Sequence, residues 1–288
     1  MPFLGMSMRK LIRWKQVIAI ALIALVFAIG ACEYWRERGE ILGAIEGKLQ
    51  IHFLDVGQGD ATLLILPTGE RVMIDVGPKS AGENLLTHFA KWKVDAIDYL
   101  ILSHSHADHA GALSLLEQEV GIGMVLYAGE APEICRSPIQ ELFPGDCFVI
   151  GDLQFCVLGP LTTEDNENRS MVLRIDYEDT SFLFTGDAEE AEETLLLNTC
   201  PDLLDVDLLK VAHHGSDTST QMPFIEAVTP EFAVISASAD NSFGHPSPNV
   251  VNRLRLADCI AISTHRDGTI LFLSDGKSLT RFRPNRWL

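Results

Sequence analysis

The densest chemistry in the chain lies in one run, His104-Ser105-His106-Ala107-Asp108-His109. Imidazole nitrogen and carboxylate oxygen are good ligands for Zn²⁺ and its divalent neighbours. The first reading is a metal site. Its chemistry would be hydrolysis, because a divalent ion brings the pKa of a water down to about 7 and so supplies a nucleophile without Ser or Cys. The plain alternative is a solvated, histidine-rich turn.

The remaining histidines are His52, His88, His213, His214, His245 and His265. His52 falls inside a strand pattern and His88 inside a helical one, so both read as structural or surface residues. The others, like His104, His106 and His109, follow apolar runs or lie in turns rich in Gly, Ser or Pro. A layered α/β protein places its site residues there. Asp75, Asp108 and Asp187 obey the same rule, each at or just beyond the end of a strand pattern.

Strands must deliver these residues. An apolar run, Tyr99-Leu100-Ile101-Leu102, leads into the histidine run, and a helix over 114–119 follows it. Upstream, 49–55, 61–66 and 71–77 alternate at hairpin spacing and predict a meander, with a helix over 84–92. Downstream, 124–127 reads as a short strand, 148–150 and 153–158 as a hairpin, and 162–169 as a polar loop. Strands over 170–177 and 181–185 end at Gly186-Asp187, before a helix over 189–197. A strand over 206–211 ends at His213-His214-Gly215-Ser216, before a helix at 221–228 and a strand at 232–236. A helix at 249–256, a strand at 259–263 and a hairpin of 269–273 with 278–281 close the chain. The alternation predicts an α/β sandwich with sheets inside and helices outside. No Pro/Gly/Ser-rich linker interrupts residues 49–288, which read as one domain.

The composition is that of a globular protein with a full core: 288 residues, 47% hydrophobic and 8% aromatic. The formal net charge is −18. Residues 1–31 hold Arg9, Lys10, Arg13 and Lys15 and no acid, so removing their +4 leaves −22 on the rest. Such a field disfavours sequence-independent contact with nucleic acid or anionic lipid. Arg136, Arg169, Lys210, Arg253, Arg255 and Arg266 could gather near a site, but read more simply as scattered charges.

After the basic cluster, Val17 to Ala31 carries no charge. That length suits a secretory apolar region better than a spanning helix. Ile29-Gly30-Ala31-Cys32 resembles a bacterial lipoprotein box, whose Cys is lipidated; an uncleaved signal anchor is the other reading. Residues 1–31 are expected to be a targeting or anchor segment and 32–48 a tether. The catalytic part would then be exported and attached to the extracytoplasmic side of a bacterial membrane. Of the remaining cysteines, Cys135 and Cys147 flank a loop-like run and could form a local disulfide; the alternative is that all five are small buried hydrophobes.

The ordered motifs carry a resemblance. His104-x-His106-x-Asp108-His109, Thr185-Gly186-Asp187 and His213-His214-Gly215-Ser216, each after a strand, resemble the metallo-β-lactamase fold. Phe53-Leu54-Asp55-Val56-Gly57-Gln58-Gly59-Asp60-Ala61 resembles the opening of the hydrolase domain of the ComEC competence family. Asn168-Arg169-Ser170 and Gly244-His245-Pro246-Ser247-Pro248 extend the match. The resemblance covers about residues 49–275. It implies an αββα sandwich of two mixed sheets flanked by helices, holding one or two divalent ions, Zn or Mn. His104 and His106 would bind one ion, and Asp108 and His109 a second. Asp187 would bridge them, and a histidine of the adjacent pair, His213, would complete the second site. Asp108 would move a proton, His214 or His245 would serve the leaving group, and Asp75, Asn168 and Ser170 would support ligands or substrate.

One departure stands out. Many enzymes of this fold place a third histidine between the histidine run and the bridging Asp, and residues 110–186 hold none. Fewer nitrogens and more oxygens weaken the preference for Zn²⁺ and admit Mn²⁺. The resemblance implies a metal-dependent hydrolase of phosphodiesters, with single-stranded DNA as a candidate substrate in competence and DNA uptake. ComEC proteins also carry large membrane regions for DNA passage, which these residues do not contain, so transport is not expected of them alone. The alternatives are a lactam, ester or thioester hydrolase, and a binding module with a relic site.

Overall fold

Period-two alternation builds the first strand, β1 (Leu49–Phe53). Leu49, Ile51 and Phe53 point into the space between two sheets, and His52 points to the opposite face, beneath a helix. This computed structural model describes residues 43–129, 131–132, 135–162 and 169–283, with 22–23, 25–27 and 30. Expectations for most of residues 1–31, for most of 32–48 including Cys32, and for Asn168 lie outside the described residues. Gly47–Arg283 form a compact unit. Among the described residues, no helix is long and apolar enough to cross a membrane.

The meander forms as expected: β1, β2 (Ala61–Ile65) and β3 (Arg71–Val76) pair antiparallel. Helix α1 (Gly82–Trp92) then crosses over to β4 (Ile97–Leu102), parallel to β3. The one-turn helix α2 (Ala107–Ala110) and helix α3 (Leu113–Glu119) lead to β5 (Ile122–Tyr127) and β6 (Ile139–Glu141), which continue the parallel run. Strand β6 was not expected. Its three residues, one of them apolar, are all exposed at the sheet edge, so no pattern marks them.

The second sheet repeats this plan. Strands β7 (Cys147–Ile150), β8 (Leu153–Gly159), β9 (Val172–Tyr177) and β10 (Thr180–Phe184) pair antiparallel. Helix α4 (Glu190–Thr199) crosses to β11 (Leu208–Lys210), and α5 (Met222–Val228) to β12 (Phe232–Ile235). Helix α6 (Pro248–Leu256) crosses to β13 (Ile260–Ser263), all of these strands being parallel. After the one-turn helix α7 (Thr264–Asp267), β14 (Ile270–Ser274) and β15 (Leu279–Phe282) return to the first sheet beside β1. The result is an eight-stranded and a seven-stranded sheet, both mixed, flanked by helices.

The core between the sheets is aromatic at its centre: Phe53 stacks on Phe184 at 5.9 Å and meets Phe272 edge-on at 6.3 Å. Burying a side chain of this size contributes about 1.5–3 kcal/mol. Leu85 and Phe89 of α1, with Leu113 and Leu116 of α3, cover the first sheet; Leu196, Phe224, Val250 and Leu254 of α4–α6 cover the second.

The cysteine expectation is corrected. Cys147 is bonded to Cys156, its cross-strand partner in the β7–β8 hairpin. Cys135 is a free thiol that donates to Glu117 Oε1 at 3.3 Å. Register, invisible in the spacing of two loop cysteines, chose the pair.

Candidate metal centre

The sandwich brings the expected site residues to one edge. Each sheet changes from antiparallel to parallel pairing, at β3–β4 and at β10–β11. Ligands in open α/β sheets gather outside the carboxyl ends of strands at such points. Asp75 ends β3, the histidine run follows β4, Asp187 follows β10 and the His213-His214 pair follows β11.

Asp75 is 2% exposed and left-handed at φ 53°. Its Oδ1 accepts the Ser103 N–H at 2.8 Å and its Oδ2 the Ser103 hydroxyl at 2.7 Å. The same Oδ2 lies 2.8 Å from Nδ1 of His109, which points the other ring nitrogen at Asp187. Asp75 therefore fixes both the run and one of its rings, where the sequence expectation placed it.

Asp187 sits between two sets of imidazoles. Its Oδ1 is 3.2 Å from His109 Nε2 and 3.8 Å from His214 Nε2. Its Oδ2 is 3.7 Å from His104 Nε2 and 3.8 Å from His213 Nε2. Ligand atoms of His104, His106 and Asp187 lie within 4.8 Å of one another, as do those of Asp60, His109, Asp187 and His214. Asp108, on α2, puts Oδ2 3.1 Å from His214 Nε2. Ser170 accepts the Asp187 N–H at 3.0 Å, and its hydroxyl meets His104 Nδ1 at 3.2 Å.

The adjacent histidines take places different from those expected. His214, fully buried, joins the cluster around Asp187 Oδ1, and its Nδ1 is hydrogen-bonded to the Ser236 carbonyl at 3.0 Å. His213, expected there, is half-buried at the rim near Oδ2, with Nδ1 3.4 Å from Glu189. Both are left-handed, at φ 48° and 55°, in a 3-10 turn over Ala212–Gly215. Neighbours in such a turn point to different sides, which the linear motif does not reveal. Left-handed backbone costs a non-glycine residue about 1–2 kcal/mol, and such residues cluster at functional sites. His245 stands beside the pair, its ring 5.6 Å from that of His213.

The electrostatics follow. Burial pushes His104 down to about 3, with neighbouring His109 adding to the effect, so its imidazole is neutral. Burial opposes charge on His109 too, but Asp187 and Asp75 hold it well above its ordinary value. Against the same burial, Asp60, Asp108 and Asp187 raise His214 to about 9. Burial alone would raise Asp187, yet His109, His214 and His104 keep it well below the usual carboxylate range.

A metal fits these residues. His104 Nε2, His109 Nε2 and Asp187 Oδ1 are buried and have no hydrogen-bond partner. Buried polar atoms are ordinarily satisfied, and three such atoms converging with mixed nitrogen and oxygen character suit a divalent ion.

The sequence reading gives no site role to Asp60, which it holds only within the Phe53–Ala61 motif, to Ser103 or Ser236, or to Lys210 beyond a place among the cations that could gather near a site. Lys210 carried a signal, a lysine inside the apolar run Leu208-Leu209-Lys210-Val211. Lys210 is buried and Arg253 is bonded to Asp217, Ser219 and Gln221, so neither offers a free cation to a substrate.

Residues 54–239 match the Metallo-beta-lactamase superfamily. The chain is 32% identical over 254 residues to ComE operon protein 3 of Bacillus subtilis (strain 168), covering 77% of this chain and 33% of that protein. It is 30% identical to Recombination protein 2 of Haemophilus influenzae, covering 71% and 26%, and 28% identical to Competence protein ComA of Neisseria gonorrhoeae, covering 79% and 32%. The chain thus spans about a third of the length of these curated relatives. The metallo-beta-lactamase fold protein YhfI of Bacillus subtilis shares the architecture, with a TM-score of 0.55 at 13% identity over 78% of this chain and 100% of that one. With sequence match, sheet order and site residues in agreement, the chain belongs to the metallo-β-lactamase superfamily.

Proposed function

We propose that this chain is a metal-dependent phosphodiesterase acting on a nucleic acid strand, exported and attached to the membrane by its N-terminal segment. The observation that carries the reading is Asp187, whose two oxygens face two separate imidazole sets. His104, His106 and Asp187 would hold one ion, and Asp108, His109, His214 and Asp187 a second, Zn²⁺ or Mn²⁺. Divalent ions held there would lower the pKa of a water and neutralise charge on a phosphate under attack.

The chain's own groups supply the rest. The Asp108 side chain is 33% exposed, so its carboxylate can orient an incoming water and take its proton. His245 lies beside His213 with its pKa lowered, by burial first and then by His213 and His214, so it is neutral near pH 7 and donates an N–H to the leaving oxygen. Next to it the ring of Phe243, 70% exposed, stacks on His245 at 5.7 Å. An exposed aromatic face beside the site suits a nucleobase, whose stacking contributes about 1–3 kcal/mol. The names of the competence and recombination relatives support the same substrate class. The Cys147–Cys156 bond supports export, since disulfides persist in oxidising compartments.

The test is a substrate panel. The purified chain, with Mn²⁺ or Zn²⁺, is incubated with bis-p-nitrophenyl phosphate, single-stranded DNA and nitrocefin. Hydrolysis of the diester and of DNA, without nitrocefin turnover, is the expected result. Turnover of nitrocefin alone would replace the reading with a lactamase, and no turnover at all with a binding module.

A further inference from the structure

Beneath the centre lies a charged pair that the metal ligands do not account for. Lys210, at the end of β11, and Asp60, in the turn before β2, are 2% and 5% exposed. Lys210 Nζ lies 2.7 Å from Asp60 Oδ2 and also donates to the Val211 carbonyl at 3.0 Å. A buried ion pair is weak support for stability, because desolvation offsets its attraction and apolar replacements are often neutral or better. The pair therefore calls for another role.

The free oxygen of Asp60 shows where that role lies. Asp60 Oδ1 is buried, has no aligned hydrogen bond, and sits 3.2 Å from Nδ1 of His214. The Nδ1 proton already goes to the Ser236 carbonyl, which leaves Nε2 directed at Asp108 and Asp187. Asp60 thus places a negative charge behind the ring without competing for its tautomer. His109 also has a carboxylate behind it, Asp75, here hydrogen-bonded directly to its Nδ1 at 2.8 Å. On the other side of Asp187, the partners of His104 Nδ1 among the described residues are no carboxylate but the hydroxyls of Ser103 and Ser170, at 3.0 and 3.2 Å. A carboxylate behind a ligating imidazole makes the ring a stronger donor, and losing such a partner costs about 10–100-fold in metal affinity.

We propose that the Asp60–Lys210 pair is a positioning device that makes the His109–His214 half of the centre the tighter one, so that it fills before the His104–His106 half. Lys210 holds Asp60 against the back of His214 and balances its charge. The inference rests on the metal-centre reading but not on the substrate.

The experiment is a Mn²⁺ titration of the metal-free full chain by calorimetry and electron paramagnetic resonance, with thermal melts alongside. The wild type should bind in two unequal steps. Asp60→Asn should weaken the tighter step about 10–100-fold and leave the weaker step in place. Lys210→Met, which strands a buried carboxylate, should lower the melting temperature as well. The double variant Asp60→Asn/Lys210→Met should recover the melting temperature but not the tight step, a separation that a merely structural pair would not give. Equal steps in the wild type, an unchanged tight step in Asp60→Asn, or recovery of that step in the double variant would overturn the inference. Absence of any Mn²⁺ binding by the wild type would remove the metal centre itself.

Discussion

His109 and His214 set how the metal-free centre responds to pH. Both are buried between carboxylates: His109 is held well above its ordinary value and His214 is raised to about 9. A histidine whose folded pKa exceeds its unfolded value of about 6.5 contributes stability that is complete below pH 6.5 and is lost as pH rises through the folded value. The metal-free protein should therefore lose melting temperature between about pH 6.5 and 9. Bound metal requires both rings neutral and should release protons on binding, so the loaded protein should melt higher and with less decline across that window. Melting curves with EDTA and with Mn²⁺ test this; a metal-free melting temperature that rises over the window would refute it. At this scale the motif showed which residue types meet but not their places. His213 and His214 are neighbours in sequence, and only a turn with two left-handed residues separates a rim position from a buried one.

The elements hold the histidine run by close backbone contact, and one glycine makes the contact feasible. The turn between β1 and β2 lies against α2, where the Asp60 N–H donates to the Asp108 carbonyl at 3.1 Å. A Cβ on Gly59 would stand 2.3 Å from that carbonyl oxygen and 2.9 Å from Pro78, at a backbone φ of 140°. Neither the helix backbone nor the proline ring can yield without moving Asp108 or Asp60. Gly59→Ala is expected to destabilise the protein by about 2–4 kcal/mol, combining overpacking with backbone strain. It should also reduce metal occupancy, since Asp60 and Asp108 flank His214 on opposite ring nitrogens. Denaturant unfolding and metal analysis of the same sample measure both effects; native stability with full occupancy would refute the contact. Most elements were legible because their patterns are strong: β1 alternates, and α1 buries Leu85 and Phe89 on one face. Strand β6 was not, because an exposed edge of three residues buries nothing that a pattern could mark.

At the scale of the molecule, two like-built halves face each other, and the site forms where each turns from antiparallel to parallel pairing. That arrangement follows from the order of strands and helices, so fold class and site location were readable together. Long-range pairing was not. Asp60, before β2 of the first sheet, meets Lys210, on β11 of the second, only after the sheets stack. Cys147 meets Cys156 only once the hairpin register is set. This last pair joins the last two strands at one edge of the second sheet, β7 and β8, with β7 three strands from β10 and its Asp187. The bond closes a hairpin with a sequence separation of 9. In the chain-entropy model a loop of that size contributes about 2–3 kcal/mol, chiefly by restricting the unfolded chain. For a domain of this length that corresponds to about 5–10 °C in melting temperature. The double variant Cys147→Ser/Cys156→Ser should therefore melt lower by about that amount while keeping its metal content, because no strand carrying a ligand is cross-linked. Protein made under reducing conditions should behave like the variant and gain the difference on oxidation. Loss of metal in the variant would mean that the hairpin also braces the centre across the sheet, whereas an unchanged melting temperature would mean that the cross-link adds nothing to a hairpin already fixed by β8–β9 pairing.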